Sequence, residues 1–203
     1  ESGAPDPHDA ATSRCEVPPN RDYTPHLKRD GLKGARIGIP RANWYEKVAV
    51  PGEKEPRGGL NDAQAKSMAE AIEALKKEGA VIVDPVEIPS VMDPDPKNNF
   101  LAWGTCGGPA DVKGKDQDCS IVLKYGMKRD FNAWLASLGP AAPVKTLADV
   151  IAFNTAHADR ELVYCGQEIL IDASTKGPLT EPAYRAALEK SKRLAGPEGI
   201  DAV

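Results

Sequence analysis

The fold of this chain is decided by residues 32–41, whose sequence is LKGARIGIPR. The stretch contains a tight turn at Gly34 and then a short apolar strand over residues 35–39. Pro40 ends the strand, at a position where a missing backbone N–H is tolerated. We therefore predict a buried strand here, and the neighbouring segments are interpreted around it.

An amphipathic helix is predicted over residues 61–78. Asn61 can cap its N-terminus, with Gln64 three residues later as in a capping box, and Gly79 can end it in a left-handed conformation. Its apolar stripe consists of Ala65, Met68, Ile72 and Leu75. Residues 81–88 follow as a second strand, interrupted by an Asp-Pro pair. Strand, helix and strand in this order favour a βαβ-like unit on a mostly buried sheet.

Helices are predicted for most of the chain after residue 120. The strongest spans residues 120–138, because its apolar residues recur at helical spacing. These residues are Met127, Phe131, Trp134, Leu135 and Leu138. Three further helical segments are expected: one capped by Thr146, one over residues 162–173 and one over residues 180–195. The predicted fold class is therefore α/β, with a mixed sheet flanked by helices.

Two segments show no periodicity. Residues 1–34 are interpreted as an extended surface segment. Residues 89–119 are rich in Pro and Gly and form a long loop or insertion, which either shapes access to a site or has no functional role. With the strand–helix–strand unit at 35–88 and the helical part at 120–203, they make up one partial domain over residues 1–203.

Composition excludes several classes of function. The net charge of -4 argues against nucleic acid or an anionic membrane as partner, since those favour basic surfaces. No apolar run approaches the ~20 residues of a membrane span. Three histidines and the absence of a C-x-x-C pair argue against a structural metal site, and no cofactor is expected. We expect a truncated chain, because it opens with Glu rather than a translation start, so the compartment stays open between cytoplasm and periplasm or secretion.

The cysteines leave two interpretations open. Cys106 and Cys119 flank a Gly/Lys/Asp-rich loop that a disulfide could close. The alternative is a set of free thiols, as in a cytosolic protein. Cys165 is expected to be a small buried apolar side chain.

Seven short strings, in one order along the chain, resemble the amidase signature family. They are DPHDAAT at 6–12, DYT at 22–24, LKGARIG at 32–38, KKEGAVIVDP at 76–85, YGMKRDFNAWL at 125–135, TLADVIAFN at 146–154 and YCGQE at 164–168. Each string is weak by itself. Their shared order over nearly the whole chain makes the resemblance specific, and it implies the α/β fold of a partial amidase signature domain.

The resemblance implies a chemistry whose reactive groups lie elsewhere. The family hydrolyses carboxamide C–N bonds with a Ser nucleophile that a second Ser and a Lys activate, while backbone N–H groups stabilise the oxyanion. Its Gly/Ser-rich catalytic segment precedes the part matched here, and the serines of this chain are scattered. We therefore expect a fragment of a serine amidohydrolase that carries no catalytic residue and is inactive alone. Its partners would be a small-molecule amide substrate and the remainder of the amidase domain.

Four residues are candidates for the substrate pocket. The resemblance places the helices of this region beside the family's active-site mouth, so Phe131 and Trp134 could line a substrate channel. The alternative for both is the core, where a regular apolar stripe belongs by default. Asn154 and Gln167 occupy positions that look semi-buried, and their amides could contact a substrate or bond to loop backbone.

Two other functions stay open at this point. One is a non-catalytic binding or interaction module that kept the amidase scaffold. The other is a nucleotide-binding α/β domain, suggested by the strand–helix–strand unit, although Gly58 and Gly59 lack the spacing of a phosphate-binding turn. A Ser-His-Asp site built on His157 is not favoured, because Asp159 is too close in sequence to orient it from across a site.

Overall fold

The computed structural model describes residues 5–14, 16, 22–104 and 119–203. Its strands are β1 Arg36–Gly38, β2 Lys47–Val48, β3 Arg57–Gly58 and β4 Val81–Val83. Its helices are α1 Asp62–Lys77, α2 Pro89–Met92, α3 Phe100–Gly104, α4 Ile121–Ser137, α5 Leu147–Ala156, α6 Ala158–Glu161, α7 Glu168–Thr175 and α8 Pro182–Ala195. Short 3₁₀ turns occur at Thr12–Arg14, Thr24–His26 and Ile200–Ala202. Helices with short sheets confirm the predicted α/β class.

The chain divides into two compact units. The first comprises Glu1–Ile39 and Asp62–Asp84, and the second comprises Pro40–Asn61 and Pro85–Val203. Residues 32–39 of the stretch that decided the sequence interpretation thus belong to the first unit, and the predicted helical part at 120–203 belongs to the second.

The first unit contains the predicted βαβ arrangement. Strands β1 and β4 pair in parallel, with Arg36 opposite Val81, and α1 connects them. Gly79 has a φ of +93° and ends α1 in the left-handed conformation, as predicted. A Cβ there would lie 3.3 Å from the Lys33 Cα, so glycine also permits close approach of the two segments. The carbonyl of Gly79 accepts a hydrogen bond of 2.8 Å from the N–H of Gly34.

The apolar stripe of α1 is less buried than the sequence predicted. Ile72 is buried and Leu75 half-buried, whereas Ala65 and Met68 are exposed. Val81 on β4 is exposed as well, and β1 exposes Arg36 and Gly38, so the expectations of a buried strand at 35–39 and of a mostly buried sheet are wrong. The second strand is also shorter than the predicted 81–88, since β4 ends at Val83. A parallel pair of two short strands offers α1 too little surface to cover a stripe of four residues.

The second unit contains a hairpin that includes Gly58 and lies directly before Gly59. Strands β2 and β3 are antiparallel, with Lys47 opposite Gly58. Gly58 has a φ of +75°, and a Cβ on it would lie 2.0 Å from the carbonyl oxygen of Asn43. The N–H of Gly59 donates to that same oxygen at 2.8 Å. Close backbone approach therefore explains the glycine pair without a phosphate ligand.

The core of the second unit includes part of the segment predicted as a loop. Val50, Val91 and Leu101 form a buried cluster, and Ile88 and Phe100 pack against it. Val91 lies in α2 and Leu101 in α3, so residues 89–92 and 100–104 are helical. Residues 105–118 are outside the described part, and a role for them in shaping access to a site stays a prediction.

A buried amide joins α2 to α3. Asn99 is 1% exposed, and its Nδ2 donates to the carbonyls of Val91 at 3.0 Å and Asp93 at 2.9 Å. Its Oδ1 accepts from the N–H of Leu101 at 2.9 Å and of Ala102 at 3.0 Å. One side chain therefore caps the start of α3 and satisfies two carbonyls at the end of α2.

Helices α4 to α8 and the last 3₁₀ turn also belong to the second unit. Thr146 caps α5 as predicted: its Oγ1 accepts from the Asp149 N–H at 3.2 Å, and the Asp149 carboxylate accepts from the Thr146 N–H at 2.9 Å. The predicted helix over 162–173 is wrong in its first half, since α7 begins at Glu168. Gly166 has low helix propensity, and the side chain of Gln167 is bound to α5.

Replacing Asn99 tests the joint between α2 and α3. We expect Asn99→Ala to lower the free energy of unfolding by about 2 kcal/mol or more, because it leaves buried carbonyl and N–H groups unpaired. Asn98→Ala is the matched control, expected to change stability by less than ~0.5 kcal/mol, since Asn98 makes one long bond of 3.4 Å to Asp95. Urea unfolding of both variants measures this. Equal losses would contradict the role of Asn99.

Candidate functional site

Two of the predicted pocket residues lie side by side on α4. The rings of Phe131 and Trp134 stack with centroids 5.6 Å apart and an interplanar angle of 27°. Phe131 is half-buried, but Trp134 is 54% exposed. The alternative that placed Trp134 in the core is therefore wrong. A place in the wall of a substrate pocket stays a prediction for both residues.

The other two predicted residues bind each other. Nδ2 of Asn154 on α5 donates to Oε1 of Gln167 at 3.2 Å. Nε2 of Gln167 donates to the Ile151 carbonyl at 3.2 Å and to the Thr155 hydroxyl at 2.9 Å. Gln167 is buried, and these two hydrogen bonds use both N–H groups of its side-chain amide within the protein. The pair joins α5 to the start of α7, and its contact with a substrate stays a prediction.

A buried cluster of charges joins α4 to α7, and the sequence did not indicate it. Lys124 on α4 has a side chain only 3% exposed, and its Nζ lies 2.8 Å from Oδ2 of Asp172 on α7. Nζ of Lys176, just after α7, lies 2.6 Å from Oδ1 of the same carboxylate. Nζ of Lys128, one turn beyond Lys124, donates to the carbonyl of Lys176. We call Lys124, Asp172 and Lys176 the lysine clamp.

The charge state of the lysine clamp follows from its contacts. Burial raises the pKa of Asp172, but the close contacts and the charges of Lys124 and Lys176 outweigh it, so the pKa lies below the ordinary 3.8. The carboxylate is thus ionised at neutral pH. Its Oδ1 accepts a hydrogen bond from Lys176, and its Oδ2 is paired with the Lys124 charge at 2.8 Å without hydrogen-bond geometry. A carboxylate with a lowered pKa and two cationic partners is a poor general base, so the clamp is structural.

A second polar contact joins α4 to α8. The Tyr125 hydroxyl donates to Oε2 of Glu181 at 2.6 Å, and the ring lies 5.3 Å from that of Tyr184. The hydrogen bond to Glu181 raises the pKa of Tyr125, and burial raises it further. The phenol therefore stays protonated and keeps its hydrogen bond through the neutral range.

The histidine on α5's C-terminus has contacts that differ from those of a catalytic base. Nδ1 of His157 lies 2.9 Å from the Phe153 carbonyl, and its ring stacks on that of Phe153 with centroids 4.2 Å apart.

Among residues 5–14, 16, 22–104 and 119–203, no three His, Cys, Asp or Glu side chains are arranged to hold a metal ion. In the same ranges no helix is long and apolar enough to cross a membrane.

The cysteine predictions have different outcomes. Cys106 lies outside the described residues, so its bridge to Cys119 stays a prediction, and Cys119 itself is buried. The expectation of a buried Cys165 is wrong, because this free thiol is exposed. It lies in the non-helical segment between α6 and α7, whose neighbouring Tyr164 is also exposed.

Comparison with known proteins gives the class of the chain. No protein-family model matches it. A probable amidase of Arabidopsis thaliana is 30% identical over 192 residues, 94% of this chain and 30% of the plant protein. The crystal structure of native peptide amidase from Stenotrophomonas maltophilia is 33% identical, with a TM-score of 0.63, and covers 98% of this chain. An amidase family protein from Bacillus anthracis, 23% identical with a TM-score of 0.53, shares the fold over 95% of the chain.

These matches define a relative of amidases. The chain spans about a third of the length of the relatives it matches, 30% of the plant protein and 33% of the bacterial peptide amidase. In sequence and fold the chain is similar to about a third of these amidases, which agrees with the resemblance found in its seven ordered strings.

Asp172→Asn tests the lysine clamp. We expect the free energy of unfolding to fall by about 3 kcal/mol, because the change leaves the buried ammonium of Lys124 without a counter-charge. Asp130→Asn is the control, since Asp130 makes an exposed pair with Arg129 and should cost less than ~1 kcal/mol. Chemical denaturation measures both. A cost for Asp172→Asn no larger than that of Asp130→Asn would contradict the structural role.

The clamp also predicts a pH dependence of stability. The pKa of Asp172 is lowered on folding, so its contribution is fully present above the unfolded value near 3.8 and is lost as the pH falls through the folded value. The stability difference between the unaltered chain and Asp172→Asn should therefore shrink below about pH 4. Urea unfolding from pH 6 down to pH 2.5 measures it, and a difference independent of pH would count against the ion pair.

Proposed function

We propose that this chain is part of a serine amidohydrolase that hydrolyses carboxamide C–N bonds. Similarity of nearly the whole chain to a third of a peptide amidase supports the proposal. The nucleophilic Ser, the second Ser and the Lys would come from another part of the domain. The chain would supply scaffold and part of the substrate pocket, and it would be inactive alone.

The contacts of the second unit favour a scaffold role. Polar groups of α4 are engaged with α7 and α8: Lys124 pairs with Asp172, which also binds Lys176, and Tyr125 binds Glu181. Such groups fix the positions of helices and are poorly suited to accept or donate a proton during a reaction. A rigid support is what a pocket assembled from several segments requires.

The aromatic pair on α4 is the part of the chain we propose for the pocket wall. Phe131 and Trp134 stack and present an exposed indole surface. Pockets for small molecules are lined mostly by apolar and aromatic side chains, with few polar groups that set orientation. A peptide amide, the class of compound named for the bacterial relative, would offer apolar side chains to such a surface.

Two measurements test the proposal. The purified chain should release no ammonia from an amidated dipeptide, because it would lack the activated serine. The coding sequence upstream of Glu1 should contain a Gly/Ser-rich segment with paired serines and, further upstream, a lysine. A polypeptide that includes this segment should release ammonia from the same substrate.

The opposite results decide between the alternatives. Ammonia release by the chain itself, freed of any longer form, would contradict its inactivity. A start codon close to Glu1 would instead favour the non-catalytic interaction module. In that case binding, not hydrolysis, would be the activity to measure.

A further inference from the structure

One flank of α4 exposes large apolar residues. The side facing the protein carries Lys124, Tyr125, Lys128 and Leu135. The side directly opposite is polar and exposed, as at Arg129 and Asp130. On the flank between these two sides, Leu123 is 64% exposed and Trp134 is 54% exposed. A surface helix normally buries its apolar stripe, so this flank is exceptional.

The exposed apolar residues share one side of the helix. Leu123, Met127, Phe131, Trp134 and Leu138 are separated by three or four residues, so their side chains lie above one another. Met127 and Phe131 are half-buried, and Leu138, which caps the helix, is 50% exposed. We call these five residues the α4 apolar stripe. It extends over the full length of the 17-residue helix.

The contacts of α4 explain why the stripe is left outside. Lys124 must reach Asp172 on α7, and Tyr125 must reach Glu181 at the start of α8. These two contacts fix the rotation of α4 about its axis. With Lys124 and Tyr125 turned inward, Leu123 and Trp134 are left on the exposed flank of the helix. Contiguous apolar patches of this kind mark interaction sites.

We propose that the α4 apolar stripe docks against the remaining two thirds of the amidase domain. This rests on the proposed function. The whole chain aligns to 33% of a peptide amidase, so the matched fold continues into a part twice as long. If the matched third and the remaining two thirds make one domain with a shared core, the remaining two thirds must cover the apolar surface that this chain exposes. The aromatic pair Phe131 and Trp134 lies within the stripe, and aromatic residues are enriched in the cores of protein interfaces.

The binding of the missing part can be measured with the bacterial relative. The probe is the peptide amidase of Stenotrophomonas maltophilia from which the matched third has been removed. The matched third of that enzyme, expressed separately and titrated into the probe, is the reference. Its binding shows that the probe is folded and can bind a matched third. Isothermal titration calorimetry then gives the Kd of this chain for the probe.

Two variants on the stripe and one beside it make the test specific. Leu123→Asp and Trp134→Asp should each weaken binding at least about tenfold, because they place a charge in the apolar contact. Ala133→Asp introduces the same charge at an exposed position on another side of α4 and should change the Kd by less than about threefold. Circular dichroism confirms that each variant keeps its helices.

Three results would overturn the docking proposal. The first is that the unaltered chain does not bind a probe that binds its own third. The second is that the stripe variants bind as tightly as Ala133→Asp. The third is that the chain forms a dimer in sedimentation experiments that Trp134→Asp abolishes, which would assign the stripe to a second copy. Each result leaves the proposed hydrolase standing, because that is tested separately by the upstream coding sequence and ammonia release.

Discussion

The helical layer of the second unit depends on one buried carboxylate. Asp172 on α7 holds the ammonium of Lys124 from α4 and that of Lys176 at its own helix end. Taking such groups out of water costs free energy that their attraction only partly repays, so the clamp is a weak source of net stability. The main effect of the lysine clamp is to fix how α4 is oriented against α7. A lysine on α4 can meet this carboxylate at one rotation of the helix and no other.

The remaining features of α4 follow from that rotation. Tyr125 is turned toward Glu181, and Asn132 is placed to accept the first N–H of α5, from Leu147, at 2.7 Å. The flank with Leu123 and Trp134 is left exposed. Fully burying a Leu side chain is worth about 1.5–3 kcal/mol, which this orientation leaves unused at Leu123. Polar contacts with two neighbouring helices hold it where it is.

Local signals made part of this fold predictable. Gly79 at the end of α1 and Thr146 at the start of α5 act through residues within a few positions of themselves, and both were read correctly from the sequence. The errors concern distant partners. Lys124 is buried because of Asp172 on another helix, and nothing within one turn of it indicates that partner. Cys165 likewise lies outside a helix because Gln167 is bound to α5, so that α7 begins only after the cysteine.

The four predicted pocket residues separate into two kinds by the same reasoning. Gln167 uses both hydrogens of its amide within the protein, so contact with a substrate would require breaking bonds that join α5 to α7. Contact between a substrate and Trp134 would break no such hydrogen bond of the described residues, because one part of the indole stacks on Phe131 and the rest is exposed. Binding pockets form preferentially where separate parts of a protein meet. If the α4 apolar stripe is such a junction, the aromatic pair can contact the docked part along one edge and a bound amide along another.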